Sequence, residues 1–324
     1  MTTRIPFTKM VGTGNDFIVV DARRKPLSAM ARRWPPVSQA LCDRHEGIGA
    51  DGVLVLERSA SADVKMRVFN PDGSEAEMCG NGARCVALYL SQVKSGKWKV
   101  ARKKPVRIES KAGVLSAQVA GGRVAMRMTD PTGLRLDLSL DADRRPIRAG
   151  FVNTGVPHLV VPVADLEAVD VRGLGRALRS HREFAPQGTN VNFIQPDGAR
   201  SGRLRIRTYE RGVEDETLAC GTGIVASAVV HALSRRSGNG QDHRYRLDLV
   251  PRSQDVLTVA FTAVPEGKRM RITDVVLEGP AVRVFDGAVT WPHPLSLRRE
   301  AAASQTRGSP SAMRQGVGWP LRRV

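Results

Sequence analysis

Two stretches decide how this chain is read: Met78-Cys79-Gly80-Asn81-Gly82-Ala83-Arg84-Cys85-Val86-Ala87-Leu88-Tyr89 and Ala219-Cys220-Gly221-Thr222-Gly223-Ile224-Val225-Ala226-Ser227-Ala228. In each, a cysteine and two alternate glycines precede a run of small and apolar residues that reads as a helix. Glycine lets backbone N–H groups turn toward a ligand, and a helix N-terminus offers unpaired donors and the positive end of the helix dipole, so each loop suits a carboxylate. A cysteine at such a terminus is predicted to ionise more readily than a free thiol, moving from about 8.5 toward neutrality. Close helix-to-sheet packing around a compact buried thiol would account for one such loop. It does not account for two, because packing has no need of a thiol twice.

Working outward, the two halves repeat at roughly 140 residues. Gly14-Asn15-Asp16-Phe17-Ile18-Val19-Val20 lies over Gly155-Val156-Pro157-His158-Leu159-Val160-Val161, and Gly49-Ala50-Asp51-Gly52-Val53-Leu54-Val55 over Gly188-Thr189-Asn190-Val191-Asn192-Phe193-Ile194. Each reads as a polar loop entering a buried strand. The alternation in Val64–Asn70 and Leu204–Glu210 predicts half-buried strands that lead, after a short turn, to the two cysteine loops. The order implies two similar α/β domains facing each other across a cleft, each presenting Cys-Gly-x-Gly from the same position. The expected divisions are 1–121 with 280–292, 122–279, and a basic, disordered tail over 293–324, with Ala281–Phe285 returning to the first domain.

A base on each face of one substrate carbon is what stereoinversion requires: one group removes the α-proton while the other donates from the opposite side. Cys42 and Cys85 have no counterparts in the other half and read as structural. With four cysteines in 324 residues, neither a disulfide framework nor a CxxC zinc site is indicated, and no metal is expected. No Walker lysine or Gly-x-Gly-x-x-Gly after a strand marks a cofactor loop, and none is expected. The net charge of +18 is dispersed, densest at Lys99–Lys104 and after Trp291, where six Arg meet one Glu. No helix-turn-helix, zinc or aromatic platform accompanies it, so specific nucleic-acid binding is not expected. Without a membrane-length apolar run or a signal-peptide start, the expected location is cytoplasmic.

At these residues the sequence resembles diaminopimelate epimerase, through Gly14-Asn15-Asp16-Phe17, Phe69-Asn70-Pro71-Asp72-Gly73-Ser74, Cys79-Gly80-Asn81-Gly82-Ala83-Arg84-Cys85, Asn190-Val191-Asn192-Phe193, Tyr209-Glu210-Arg211-Gly212, Ala219-Cys220-Gly221-Thr222-Gly223 and Gly279-Pro280-Ala281-Val282. The resemblance spans about Ile5 to Trp291 and implies an α/β fold of mixed sheets, each wrapped around a central helix. It implies interconversion of L,L- and meso-diaminopimelate without metal or pyridoxal phosphate, by a homodimer, on the route to lysine and peptidoglycan. In that scheme Cys79 and Cys220 are the acid/base pair. The α-carboxylate sits on the backbone N–H groups of Gly80, Asn81, Gly221 and Thr222. Asn15, Asn70, Asn190 and Arg211 recognise the remaining ammonium and carboxylate groups, where a bidentate guanidinium and two-way amides are suited.

His158 and Glu210 fall at family positions near the thiols, where they would tune ionisation or bind the α-ammonium. Two positions depart from the pattern: Val156 stands where many relatives carry Asn, and Gly52 where some carry Gln. A proline racemase-like enzyme shares the paired cysteines, but typically has His in place of Asn81. A non-enzymatic amino-acid-binding module would explain the carboxylate loops but not the mirrored thiols.

Overall fold

The structure is a computed structural model that describes residues 2–93, 104–142, 145–198, 202–236, 241–267 and 269–292. The tail over 293–324 and most of the Lys99–Lys104 run lie outside the described residues. In the first half the elements run β1 (Thr3–Gly12), β2 (Asn15–Asp21), α1 (Trp34–Cys42), β3 (Gly52–Glu57), β4 (Val64–Phe69), β5 (Glu75–Ala76), α2 (Gly80–Gln92), β6 (Val106–Ser110), β7 (Gly113–Ala120) and β8 (Arg123–Arg127). After β9 (Thr132–Ala142) the same order returns: β10 (Arg145–Asn153), β11 (Pro157–Pro162), α3 (Val171–Arg179), β12 (Asn190–Pro196), β13 (Arg203–Glu210), β14 (Asp215–Thr217), α4 (Gly221–Ser234), β15 (His243–Val250), β16 (Leu257–Glu266) and β17 (Arg269–Pro280). A last strand, β18 (Val282–Trp291), closes the described chain.

The pairing repeats as well. β2 runs parallel to β3, β3 antiparallel to β4, and β4 parallel to β6, while β11, β12, β13 and β15 pair in the same senses. Alternation is visible where it was read: β4 and β13 turn every second side chain inward. The halves are stitched by β8, which pairs with β7 on one edge and β17 on the other. Gly121 and Gly122, both at positive φ, form the tight turn between β7 and β8. β18 returns across the molecule to pair with β1, so the chain's last strand completes the first half's sheet. The result is a mixed α+β fold with a continuous mixed sheet and few helices.

Each half-sheet curls around one helix. α2 is buried from Asn81 through Leu88 and packs into a cluster with Met10, Leu54, Val68 and Ile108; α4 is buried from Gly223 through Val230 and packs with Val152, Ile194, Leu249 and Val259. A helix enclosed on all sides cannot show a polar stripe, and its small residues let strands approach closely. α1 and α3 cover the outer faces of the same sheets with separate clusters. Both central helices therefore emerge at the seam between the halves with their N-termini, and the cysteines, at the sheet edges.

Candidate active site

Cys79 is the N-cap of α2 and Cys220 the N-cap of α4, both in extended backbone. Gly82 N–H donates to Cys79 Sγ at 3.3 Å. A side chain at Gly80 would meet nothing within 4 Å, so the first amides of α2 face open space. Gly223, by contrast, has no room: a Cβ there would lie 2.3 Å from Asn192 Oδ1. The second glycine of each motif lets its helix pack, Gly82 against Leu54 and Gly223 against Asn192, whereas open space at the first is found at Gly80 and not at Gly221, whose Cβ would stand 3.3 Å from Leu277 Cδ2.

The expectation that helix termini would lower both thiols is corrected here. Burial pushes Cys79 up, against the opposing pull of the Gly82 and Asn81 amides and the Arg84 charge. Burial, with the Glu210 carboxylate adding to it, pushes Cys220 up to about 12, against Thr222 and Gly223. Desolvation outweighs the dipole because these thiols lie at the floor of a seam rather than on a surface. Cys42 and Cys85 are buried and also pushed up to about 12.

Behind Cys220 lies a directed chain of hydrogen bonds. Asn192 Nδ2 donates to Leu159 O at 3.0 Å and to His158 Nδ1 at 3.1 Å, while its Oδ1 accepts from Thr208 Oγ1 at 3.1 Å. The Leu159 carbonyl fixes the amide's orientation, so His158 Nδ1 accepts and its proton resides on Nε2. That proton points to Thr222 Oγ1 at 2.9 Å, and the Thr222 hydroxyl lies 3.4 Å from Cys220 Sγ. Burial, with Arg211 nearby, drives His158 down to about 3, so the imidazole is neutral at any working pH. A neutral imidazole can orient its neighbours but supplies no charge.

Behind Cys79 runs a second chain. Arg84 Nη2 donates to Asn81 Oδ1 at 2.5 Å, Asn81 Nδ2 to Asn15 Oδ1 at 2.7 Å, and Asn15 Nδ2 to Asp51 Oδ2 at 3.0 Å. A cation at one end and an anion at the other set the direction of every bond between them. Asp51 is held by Arg44, which also grips Asp16; the buried Lys9 pairs with Asp16 at 2.7 Å and donates to Gly49 O. These partners outweigh the burial that would raise Asp16 and hold it down at about 2.

Glu210 ends β13, and burial raises its carboxyl. It is the carboxylate whose charge acts on both thiols. Asn190 spans two loops: Nδ2 donates to Pro157 O at 3.0 Å and Oδ1 accepts from Arg211 N–H at 2.9 Å, while Arg211 Nη1 donates to Gln187 O at 3.2 Å. Asn70 lies in the β4–β5 turn, donating to Ser74 Oγ at 2.9 Å. The turn at Gly14, φ 82°, abuts the Cys220 loop, since a Cβ there would lie 3.2 Å from Leu218 Cδ1. Gly52 leaves no space for an amide, because its Cβ would meet Phe69 O at 2.9 Å. Val156 offers only its carbonyl, which accepts from Thr154 N–H at 3.1 Å. Among the described residues no three metal-ligating side chains converge.

Sequence reasoning gave no role to Asn192, Thr13, Arg84 or the Lys9–Asp16–Arg44–Asp51 cluster. For Asn192 the signal was present: it stands two residues from Asn190 on β12 and so shares that residue's face of the strand.

Two half-sheets, each closed around a helix with a cysteine at its N-cap position, define the fold. It is shared with the Bacillus anthracis phenazine biosynthesis protein of the PhzF family (TM-score 0.63, 19% identity, covering 89% of this chain and 99% of that one) and with an Agrobacterium vitis hydroxyproline epimerase (TM-score 0.57, 18% identity, covering 90% and 93%). The family model for diaminopimelate epimerase matches residues 7–133 and 150–248. The diaminopimelate epimerases of Aquifex aeolicus and Methanocella arvoryzae are 39% and 38% identical to the chain, over 88% and 89% of it and 97% of each relative. The chain belongs to the diaminopimelate epimerase family.

Proposed function

We propose that this protein epimerises L,L-diaminopimelate to the meso form by a two-base mechanism in which Cys79 and Cys220 exchange the roles of base and acid. The observation that carries it is the pair of thiols capping equivalent helices, with the Glu210 carboxylate acting on both. One thiolate takes the α-hydrogen as a proton, and the electron pair it leaves is delocalised into the α-carboxylate. The amides of Gly80, Asn81, Gly221 and Thr222 stabilise the charge that develops there. The opposite thiol then protonates the other face, and no electrons leave the substrate.

Burial makes each thiolate, once formed, a stronger base toward a weakly acidic carbon–hydrogen bond, at the cost of a smaller ionised fraction. Asn15, Asn70, Asn190, Glu210 and Arg211 are assigned to the substrate's ammonium and carboxylate groups, Asn15 and Asn190 with their amides already oriented by Asp51 and Pro157. A homodimer in the cytoplasm is the assembly we assign. Its support is that β18, paired among the described residues only with β1, exposes Val282, Val284 and Phe285. No helix of the structure is long and apolar enough to cross a membrane.

The test is incubation with L,L-diaminopimelate in deuterium oxide without added cofactor. Deuterated meso product, lost in both Cys79→Ala and Cys220→Ala, supports the reading. Exchange of proline or hydroxyproline instead would replace the substrate and keep the chemistry. Absence of exchange with any amino acid would overturn both.

A further inference from the structure

Arg84 lies wholly buried about one turn into α2, where a charge has few reasons to be. Its Nη2 donates to Thr13 Oγ1 at 2.6 Å and to Asn81 Oδ1 at 2.5 Å, but Nε and Nη1 have no hydrogen-bond partner, and among the described residues no carboxylate forms an ion pair with it. The protein's habit elsewhere is different. Arg207 sits on Glu216 through two bonds of 2.7 and 2.8 Å, and Arg67 on Glu75 through two of 2.8 and 2.9 Å. An unpaired cation enclosed this way is strongly disfavoured unless negative charge is supplied nearby.

Three groups are close enough for their negative charge to act on Arg84: Cys79, Cys85 and Asp255. Cys85 is sealed in the core with no route to solvent or substrate, and Asp255 makes no direct ion pair, which leaves Cys79 as the changeable partner. β17 of the other half passes close to the guanidinium, since a Cβ on Gly279 would stand 3.2 Å from Nε.

The second half lacks this feature. By the repeat that pairs Cys79 with Cys220, Arg84 corresponds to Val225, an apolar residue fully buried in α4. The charged group acting on Cys220 is Glu210, which opposes a thiolate there; the groups that favour a thiolate, the Thr222 hydroxyl and the Thr222 and Gly223 amides, are all neutral. Glu210 acts on Cys79 too, but with Arg84 against it. Two thiols alike in backbone position thus differ in electrostatic surroundings.

We infer that Arg84 is a positioning residue whose buried charge makes Cys79, rather than Cys220, the thiolate whenever the pair has lost one proton. The inference rests on the two cysteines being the acid/base pair. In that form the enzyme deprotonates the isomer whose α-hydrogen faces Cys79. Each such turnover leaves the proton on Cys79 and the thiolate on Cys220, and Arg84 favours return of the proton from Cys79 to Cys220 before the next.

The experiment measures alkylation of each cysteine by iodoacetamide against pH, resolved by mass spectrometry, in wild type, Arg84→Lys and Arg84→Met full-length protein. The midpoint of each profile is read rather than its rate, because access differs between the sites. The expected result is a Cys79 midpoint at least about one pH unit, or tenfold in thiolate, below that of Cys220. Arg84→Met raises the Cys79 midpoint by a similar amount and leaves Cys220 in place, while Arg84→Lys keeps the wild-type order. A wild-type midpoint for Cys220 at or below that of Cys79 overturns the inference whether or not Arg84→Met folds. So does an unmoved Cys79 in a folded Arg84→Met. Diaminopimelate is absent throughout, so a mistaken substrate leaves the result standing.

Discussion

Replacing Gly80 with alanine separates folding from catalysis. Gly80 is the first residue of α2, lies outside the positive-φ region, and has no heavy atom within 4 Å of where a Cβ would go. The folded state therefore takes the methyl without strain. Alanine restricts the unfolded chain and is a better helix former, so stability should hold or rise by about 0.5–1 kcal/mol, a few degrees at most in melting temperature. In the complex the methyl stands beside the amide that binds the α-carboxylate. The methyl projects into the open space in front of the loop, and where the bound substrate fills that space a carboxylate oxygen about 2.9 Å from the nitrogen has to shift. Losing one charge-assisted hydrogen bond forfeits about 1.5–3 kcal/mol, a fall in kcat/KM of roughly 10- to 150-fold. The assay is α-deuterium incorporation into diaminopimelate, paired with thermal melting. Activity within twofold of wild type in a protein that melts normally would show that the carboxylate is bound elsewhere.

Gly223→Ala should do the opposite, since its methyl would collide with Asn192 Oδ1 at 2.3 Å; we expect a loss of about 1–3 kcal/mol in chemical denaturation, and an unchanged midpoint would refute the packing role. His158 titrates at about 3 in the folded protein, below its ordinary 6.5, so its stabilising contribution is complete above 6.5 and is lost as pH falls toward 3. Between pH 8 and 5 that loss is about 2 kcal/mol, and His158→Gln, which can accept from Asn192 and donate to Thr222, should flatten this part of the stability profile. An identical pH slope in the variant would mean that His158 is not buried neutral. Thr222→Val removes the hydroxyl between His158 and Cys220; a fall in deuterium exchange of about tenfold or more is expected, with Cys79 alkylation unaffected. Equal exchange rates would leave the His158–Thr222 contact purely structural.

The duplication, the two cysteine loops and the strands beside them were legible in the sequence because they rest on local rules: side-chain alternation every second residue, glycine before a helix, and repetition of both in one order. Those same rules singled out Cys79 and Cys220 and set aside Cys42 and Cys85. They misjudged the ionisation of the thiols, since a dipole can be read from a motif whereas desolvation depends on how much protein closes over the sulfur. Nor could they show that Asn81 is oriented by Arg84 and Asn15 by Asp51, or that His158 reaches Cys220 only through Thr222. Those bonds join residues brought together by the curling of two half-sheets. The asymmetry between the thiols belongs to tertiary structure alone: Arg84 and Val225 are ordinary residues of two similar helices in sequence, and only burial turns one of them into an unpaired charge beside a thiol.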